Sequence, residues 1–176
     1  PHLNTWTDGW RHLKFLLILS PFWLYMVPGF IFLFLGILLI LMLFSHNLEI
    51  NGVILNLNTY ISGCVFIILG VQILCSGIVS YSFLTRKKLA FNAGNYWNKV
   101  SSINTNKLLI LTLIIFVIGL SLFLSELFFW ISINLGEIVD DFYPRRVLFG
   151  LTLIIVSIQT FFLSFILDLL KIENIY

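Results

Sequence analysis

Four apolar segments, each long enough to cross a membrane, constrain the fold of this chain more than any other feature of its sequence. A helix needs about 20 residues to cross a hydrocarbon core of about 30 Å. The segments are 23–44, 58–84, 108–133 and 147–170. Only 10% of the 176 residues are charged, whereas a soluble domain carries about 25%. We therefore predict an all-α integral membrane protein with a bundle of four spanning helices.

Residues 1–20 have the pattern of an amphipathic helix that lies in the plane of the membrane interface. At about 100° per residue, one narrow arc of the helical wheel holds five apolar side chains: Leu3, Trp6, Trp10, Leu13 and Leu17. Polar and charged residues fill the rest of the wheel: Asn4, Thr5, Asp8, Arg11, His12 and Lys14. Tryptophan is stable at the level of the lipid headgroups, and basic flanks suit anionic lipid.

The pair Thr5 and Asp8 resembles a capping box and predicts the start of this surface helix, with Asp8 in reach of Arg11 and His12. A signal peptide or the amphipathic helix of a soluble protein is the alternative interpretation. A signal peptide has a short apolar core and a small-residue cleavage site, whereas the apolar run here continues to Phe44. The pattern therefore favours a surface helix that leads into the first span.

Basic residues are concentrated in the middle loop, 85–107, which contains no acidic residue. Its cations are Arg86, Lys87, Lys88, Lys99 and Lys107. The loop 46–57 has one charge, and the loop 134–146 has three acids against two arginines. The positive-inside rule then predicts that both termini and the middle loop are cytoplasmic. The middle loop is either a second interfacial helix broken at Gly94 or a solvated basic loop.

Small and polar residues within the spans predict how the helices pack. Gly63, Gly70 and Gly77 recur every seven residues on the second span and form a stripe along which another helix can approach closely. Gln72 and Gln159 lie at similar depths near the predicted midplane, and we expect their amides to form a hydrogen bond across helices. A weak similarity between the two halves also hints at a duplicated two-helix hairpin.

Charged residues within the spans argue against a channel or transporter. Glu126 is predicted near the outer interface and Asp168 near the inner one, with Lys171 three residues on. Neither lies at the midplane, where an ion or proton pathway requires a charge. His2, His12 and His46 lack metal-ligand spacing, no phosphate-binding glycine loop is present, and the cations do not form a nucleic-acid footprint.

The run DGWRHLKFLLILSPFWLYMVPGFIFLFLG, residues 8–36, resembles the segment that follows the catalytic domain in bacterial family 2 glycosyltransferases of the dolichyl-phosphate mannose and glucose synthase type. Residues 58–84 are similar to that family's second span, with Gly-x-Gln and a later Gly. Residues 145–170 are similar to its last span, although Ser157 stands where the family more usually has Gly. The charged and aromatic first motif is the most specific of the three.

This resemblance implies that the catalytic domain lies upstream of residue 1 and holds a divalent metal, Mg or Mn. That domain would transfer a sugar from a nucleotide donor to polyprenyl phosphate at the cytoplasmic face of the bacterial plasma membrane. In this interpretation Arg11, His12 and Lys14 help to bind the acceptor phosphate. The alternative role for these three residues is a general attraction to anionic lipid.

A small non-enzymatic membrane protein is the alternative function. It would be a flippase-like protein or a subunit that packs against a partner through the Gly63–Gly77 stripe. Such a protein would have a start Met close to Pro1, whereas a synthase would have a domain of about two hundred residues before it. The sequence leaves the oligomeric state open, and a homo-oligomer is compatible with it.

Overall fold

The computed structural model describes residues 5–87, 104–136 and 142–172. Its elements, in chain order, are α1 Thr5–Leu19, a π-helical turn Phe22–Met26, α2 Val27–Leu43, β1 Leu48–Ile50, β2 Val53–Leu55, α3 Leu57–Arg86, α4 Thr105–Ser132 and α5 Phe142–Ile172. Four stretches are long and apolar enough to cross a membrane: Phe22–Leu43, Leu57–Arg86, Thr105–Ser132 and Phe142–Lys171. The predicted all-α membrane bundle is thus confirmed.

The spans pack as two antiparallel hairpins. Helix α2 packs against α3, α4 packs against α5, and the hairpins meet where α3 packs against α5. The end of the bundle that holds α1, Arg86, Thr105 and Lys171 is called the terminal end below. The opposite end, with β1, β2, Ser132 and Phe142, is called the ribbon end.

Glycines allow α2 and α3 to approach closely. A Cβ atom on Gly36 would lie 2.7 Å from the carbonyl oxygen of Gly63, and one on Gly70 would lie 2.7 Å from the backbone nitrogen of Leu33. A Cβ on Gly77 would lie 2.7 Å from Cβ of Tyr25 in the π-helical turn. The stripe Gly63, Gly70 and Gly77 therefore faces α2 and the turn that precedes it.

A π-helical turn joins the surface helix α1 to the first span. It lies between Pro21 and Pro28, and Pro28 stands in the first turn of α2. π-helical turns are rare and frequently occur at functional sites. This turn presents Tyr25 and Met26 to Gly77 of α3, so it fixes the start of the first span against the second.

The predicted loop 46–57 at the ribbon end contains a two-stranded antiparallel ribbon. Leu48 pairs with Leu55 and Ile50 with Val53. The turn between them has positive φ at Asn51 (50°) and Gly52 (80°), as a two-residue hairpin turn requires. Beneath the ribbon, a small core of α2 and α3 side chains is formed by Ile40, Leu43, Tyr60 and Cys64.

The helices extend beyond the apolar segments that predicted them. Asn56 caps α3 by accepting a hydrogen bond from the Asn58 N–H at 3.0 Å. Asn104 caps α4 in the same way, with the N–H of Asn106 at 3.1 Å. Helix α5 begins at Phe142, five residues before the predicted span 147–170, so Arg145 and Arg146 are helical residues rather than loop residues.

Candidate functional site at the terminal end

The surface helix α1 exposes the apolar stripe that the sequence predicts. Trp6 is 86% exposed and Trp10 is 57% exposed, and Leu13 is also exposed. A Cβ on Gly9 would have no atom within 4 Å. Leu3 and Asn4 lie outside the described residues. An amphipathic helix with exposed tryptophans has the chemistry of an element that lies in the headgroup region.

The three predicted phosphate-binding residues, Arg11, His12 and Lys14, are all exposed on α1. Arg11 pairs with Asp8 at 3.8 Å, as the i,i+3 spacing predicts. At about 100° per residue, Arg11 and Lys14 lie about 60° apart, whereas His12 lies about 160° from Lys14. Arg11 and Lys14 therefore share one flank of the helix, and His12 lies on the other side.

The basic residues at the end of α3 belong partly to the helix. Arg86 is the last residue of α3, and its guanidinium donates a hydrogen bond to the backbone carbonyl of Leu170 in α5. The Lys87 ammonium lies 5.9 Å from the centre of the Phe83 ring. Lys88 and most of the middle loop lie outside the described residues, so the predicted interfacial helix in that loop stays a prediction.

A polar cluster joins α4 to α5 at the terminal end. The Thr105 hydroxyl donates to Oδ1 of Asp168 at 2.7 Å, and Lys171 Nζ lies 3.1 Å from the same oxygen. Lys171 Nζ also donates to Oγ1 of Thr105 at 3.2 Å. Lys107 is exposed on the first turn of α4. Cations from three helices therefore collect at the end of the bundle from which α1 projects.

Gln72 and Gln159 line one cavity of about 450 Å³ between α3 and α5, together with Cys75, Ser76 and Ser80. In the described part of the chain, Oε1 of Gln159 is buried without a hydrogen-bond partner. The two amides therefore lie at the same place in the bundle, but this oxygen does not accept the predicted hydrogen bond.

An apolar groove of about 630 Å³ runs between α4 and α5. Its walls include Leu113, Phe116, Ser157, Phe161 and Phe165. The hydroxyl of Ser157 donates to the Ile154 carbonyl of its own helix at 2.6 Å, so it adds little polarity to the groove. Such a surface is suited to a hydrocarbon chain.

The polar contacts at the ribbon end could not be predicted from the sequence. Arg145 is 1% exposed and donates to the Leu43 carbonyl at 2.5 Å and to Oδ1 of Asn47. The Arg146 Nε atom lies 2.9 Å from Oε1 of Glu126. These pairs join residues far apart in the sequence. Their one signal in the sequence is that Arg145 and Arg146 stand directly before the predicted span 147–170.

Within residues 5–87, 104–136 and 142–172, no three His, Cys, Asp or Glu side chains are grouped as metal ligands. No solved structure matches the chain. The chain is 32% identical over 79 residues to the low-salt glycan biosynthesis hexosyltransferase Agl6 of Haloferax volcanii. That match covers 45% of this chain and 19% of the relative's length.

The family comparison covers the second hairpin. Residues 82–171 match the glycosyltransferase family 2 C-terminal transmembrane region, and this stretch includes all of α4 and nearly all of α5. It also includes Arg86 and the polar cluster at the terminal end. The match covers more than half of the 176 residues. The chain therefore belongs to the glycosyltransferase family 2 C-terminal transmembrane region.

Proposed function

We propose that this chain is the membrane anchor and lipid-acceptor region of an enzyme that moves a sugar from a nucleotide donor to polyprenyl phosphate at the cytoplasmic face. The family match over residues 82–171 carries the proposal. The hexosyltransferase relative, named for glycan biosynthesis, also supports it. The nucleotide sugar and a divalent metal would be bound by a catalytic domain that precedes α1.

The distribution of charge supports a phosphate site at the terminal end. Six of the described cations lie there: Arg11, Lys14, Arg86, Lys87, Lys107 and Lys171. By the positive-inside rule this end faces the cytoplasm. Arg11 and Lys14, on one flank of α1, would hold the acceptor phosphate by charge-assisted hydrogen bonds, while Trp6 and Trp10 keep the helix at headgroup depth.

The groove between α4 and α5 offers a place for the isoprenoid tail of the acceptor. It begins at Leu109, about 6 Å along α4 from Thr105. Lys107 therefore lies beside its mouth. An amphiphile with its phosphate at the terminal end could lay its first isoprene units in this groove.

The test compares Arg11→Ala with the matched control His12→Ala in the full-length protein that contains this chain. We expect Arg11→Ala to raise the acceptor KM about tenfold, or about 1.4 kcal/mol, through the loss of one charge-assisted hydrogen bond. His12→Ala should leave KM near the wild-type value, because His12 lies about 100° from Arg11 and about 160° from Lys14 around the helix. The measurement is sugar transfer at varied polyprenyl phosphate, in vesicles of neutral lipid and in vesicles that contain anionic lipid.

Two outcomes contradict the proposal in different ways. A KM that is unchanged in neutral vesicles would leave Arg11 at most a general attraction to anionic lipid. An absence of any transfer to polyprenyl phosphate by the wild-type protein would overturn the proposed acceptor.

A further inference from the structure

The ribbon end contains a buried carboxylate with one unsatisfied oxygen. The Glu126 side chain is 4% exposed, and its Oε1 atom lies 2.9 Å from Nε of Arg146. Among the described residues, Oε2 of Glu126 is buried and has no hydrogen-bond partner. A buried acceptor without a donor is costly in a protein, and more so when it is charged. The site therefore lacks one hydrogen-bond donor.

The partner of Glu126 offers further donors. Arg146 is 33% exposed, and its guanidinium carbon lies 5.6 Å from the centre of the Phe142 ring. A guanidinium has five N–H donors, and only Nε of Arg146 pairs with Glu126 in the described part of the chain. A carboxylate that needs a donor and a guanidinium that can bind an anion thus stand side by side.

Glu126 also lines an apolar cavity of about 430 Å³ between α4 and α5. The other lining residues are Phe123, Leu127, Trp130, Tyr143, Pro144, Val147 and Leu148. Tyr143 stacks on Phe129 with ring centres 4.5 Å apart, and the Trp130 indole N–H donates to the Gly136 carbonyl at 3.1 Å. The aromatic walls are therefore fixed by contacts outside the cavity.

The depth of the site is that of a lipid headgroup. Glu126 lies six residues before the end of α4 at Ser132, about 9 Å along the helix axis. A helix of 28 residues is about 42 Å long and extends about 6 Å beyond each side of a 30 Å core. Glu126 and Arg146 then lie close to the boundary between hydrocarbon and headgroups.

We propose that the Glu126–Arg146 pair and the adjoining cavity bind a phospholipid that carries a primary ammonium group, such as phosphatidylethanolamine. The ammonium donates to Oε2 of Glu126, the phosphate accepts from the terminal N–H groups of the Arg146 guanidinium, and an acyl chain fills the cavity. A choline headgroup carries the same charges but has no N–H to donate. This site lies at the opposite end of the bundle from the proposed acceptor site and does not depend on it.

The first experiment needs only the wild-type full-length protein. It is titrated in detergent with phosphatidylethanolamine and with its mono-, di- and trimethylated forms, which have successively fewer N–H donors, and binding is read by native mass spectrometry. We expect affinity to fall stepwise, by about tenfold from the unmethylated to the trimethylated lipid, because a hydrogen bond to a charged group is lost. Equal affinity for the four lipids would overturn the proposal.

The second experiment compares Glu126→Gln with a matched control, Asp168→Asn. Both substitutions remove one carboxylate charge from an ion pair. The Glu126–Arg146 pair joins α4 to α5 at the ribbon end, and the Asp168–Lys171 pair lies within α5 at the terminal end. Glu126→Gln should abolish the preference for the unmethylated lipid, and Asp168→Asn should retain it. A preference that survives in folded Glu126→Gln protein would also overturn the proposal. If that variant does not fold, the methylation series on the wild type decides.

Discussion

In each hairpin, α2–α3 and α4–α5, one helix has small residues at a seven-residue spacing, but the residue types differ. Helix α3 has Gly63, Gly70 and Gly77, and α5 has a glycine followed by two serines at the same seven-residue spacing, Gly150, Ser157 and Ser164. All six positions are buried. In each helix a glutamine follows the first glycine by nine residues, at Gln72 and Gln159.

The two hairpins differ in the number of glycines at which their helices meet. In the α2–α3 hairpin, a Cβ at Gly70 would lie 2.7 Å from the Leu33 nitrogen, so the backbones touch there as well as at Gly36 and Gly63. The α4–α5 hairpin has its close glycine contact between Gly119 and Gly150. Beyond that contact α5 has Ser157 in place of a glycine, and Ser157 lines the apolar groove of about 630 Å³.

The largest expected effect is from Gly36→Leu, which would separate α2 from α3. A Cβ at this position would lie 2.7 Å from backbone atoms of Gly63 and Ile67, and backbone cannot move aside as a flexible side chain can. We expect a loss of about 3 kcal/mol or more in the free energy of unfolding. The measurement is helix loss during titration of the purified protein with a denaturing detergent. Gly9→Leu is the matched control, since its Cβ would meet no atom within 4 Å.

The equivalent change in the other hairpin, Gly119→Leu, should cost somewhat less. Its Cβ would lie 2.9 Å from the Gly150 carbonyl oxygen, a slightly longer approach than the 2.7 Å at Gly36. If Gly36→Leu unfolds at the same detergent concentration as the wild type, close backbone contact at Gly36 is not needed to hold α2 against α3. A larger loss for Gly119→Leu than for Gly36→Leu would reverse the comparison.

The next effect concerns the arginines that tie one hairpin to the other. Arg145→Met would leave the buried Leu43 carbonyl and Oδ1 of Asn47 without this donor, and we expect a loss of about 2–3 kcal/mol. Arg86→Met removes a comparable bond to the Leu170 carbonyl at the terminal end. That site is only partly buried, so water can replace the donor and the expected loss is below about 1 kcal/mol.

Thermal unfolding of the two methionine variants in one detergent checks this ranking. Equal losses of stability in the two variants would mean that burial of the Leu43 carbonyl does not make the Arg145 hydrogen bond more stabilising. A larger loss for Arg86→Met would mean that the hairpins are held mainly at the terminal end.

Apolar runs predict the spans because every backbone polar group in hydrocarbon must be bonded within its own helix. Helix ends are less predictable, because charges stop the apolar run before they stop the helix. Arg145 and Arg146 illustrate this, since their partners Leu43 and Glu126 come from other helices. A single sequence contains no signal that pairs residues so far apart.

The hairpin turn and the exposed cations of α1 can be predicted from the sequence at least in part. Asn51–Gly52 between two short apolar stretches is a known hairpin pattern, although three residues per strand give little periodicity to detect. The exposure of Arg11, His12 and Lys14 follows from the helical wheel of α1. The π-helical turn does not, because two prolines seven residues apart are equally compatible with a plain helix start.

The last comparison exchanges the residue types of the two stripes, and Ser157→Gly has the smallest expected effect of all the substitutions. Gly70→Ser should cost about 1–3 kcal/mol, since its Cβ has no room against Leu33. Ser157→Gly should cost no more than about 0.5 kcal/mol, because the Ser157 hydroxyl bonds only its own helix and glycine is a weak helix former.

Denaturing-detergent titration of the two variants, each beside wild-type protein, measures this asymmetry. If the helices of both hairpins were held at the same distance, the two exchanges would have similar costs of opposite sign. If Ser157 instead sets the width of the groove, Ser157→Gly should let α4 close on α5. That closure should lower the retention of a hydrocarbon probe in the groove even though stability hardly changes. Unaltered probe binding in Ser157→Gly would show that Ser157 does not set the width of the groove. The difference between the hairpins would then lie in Gly119 and Gly150 alone.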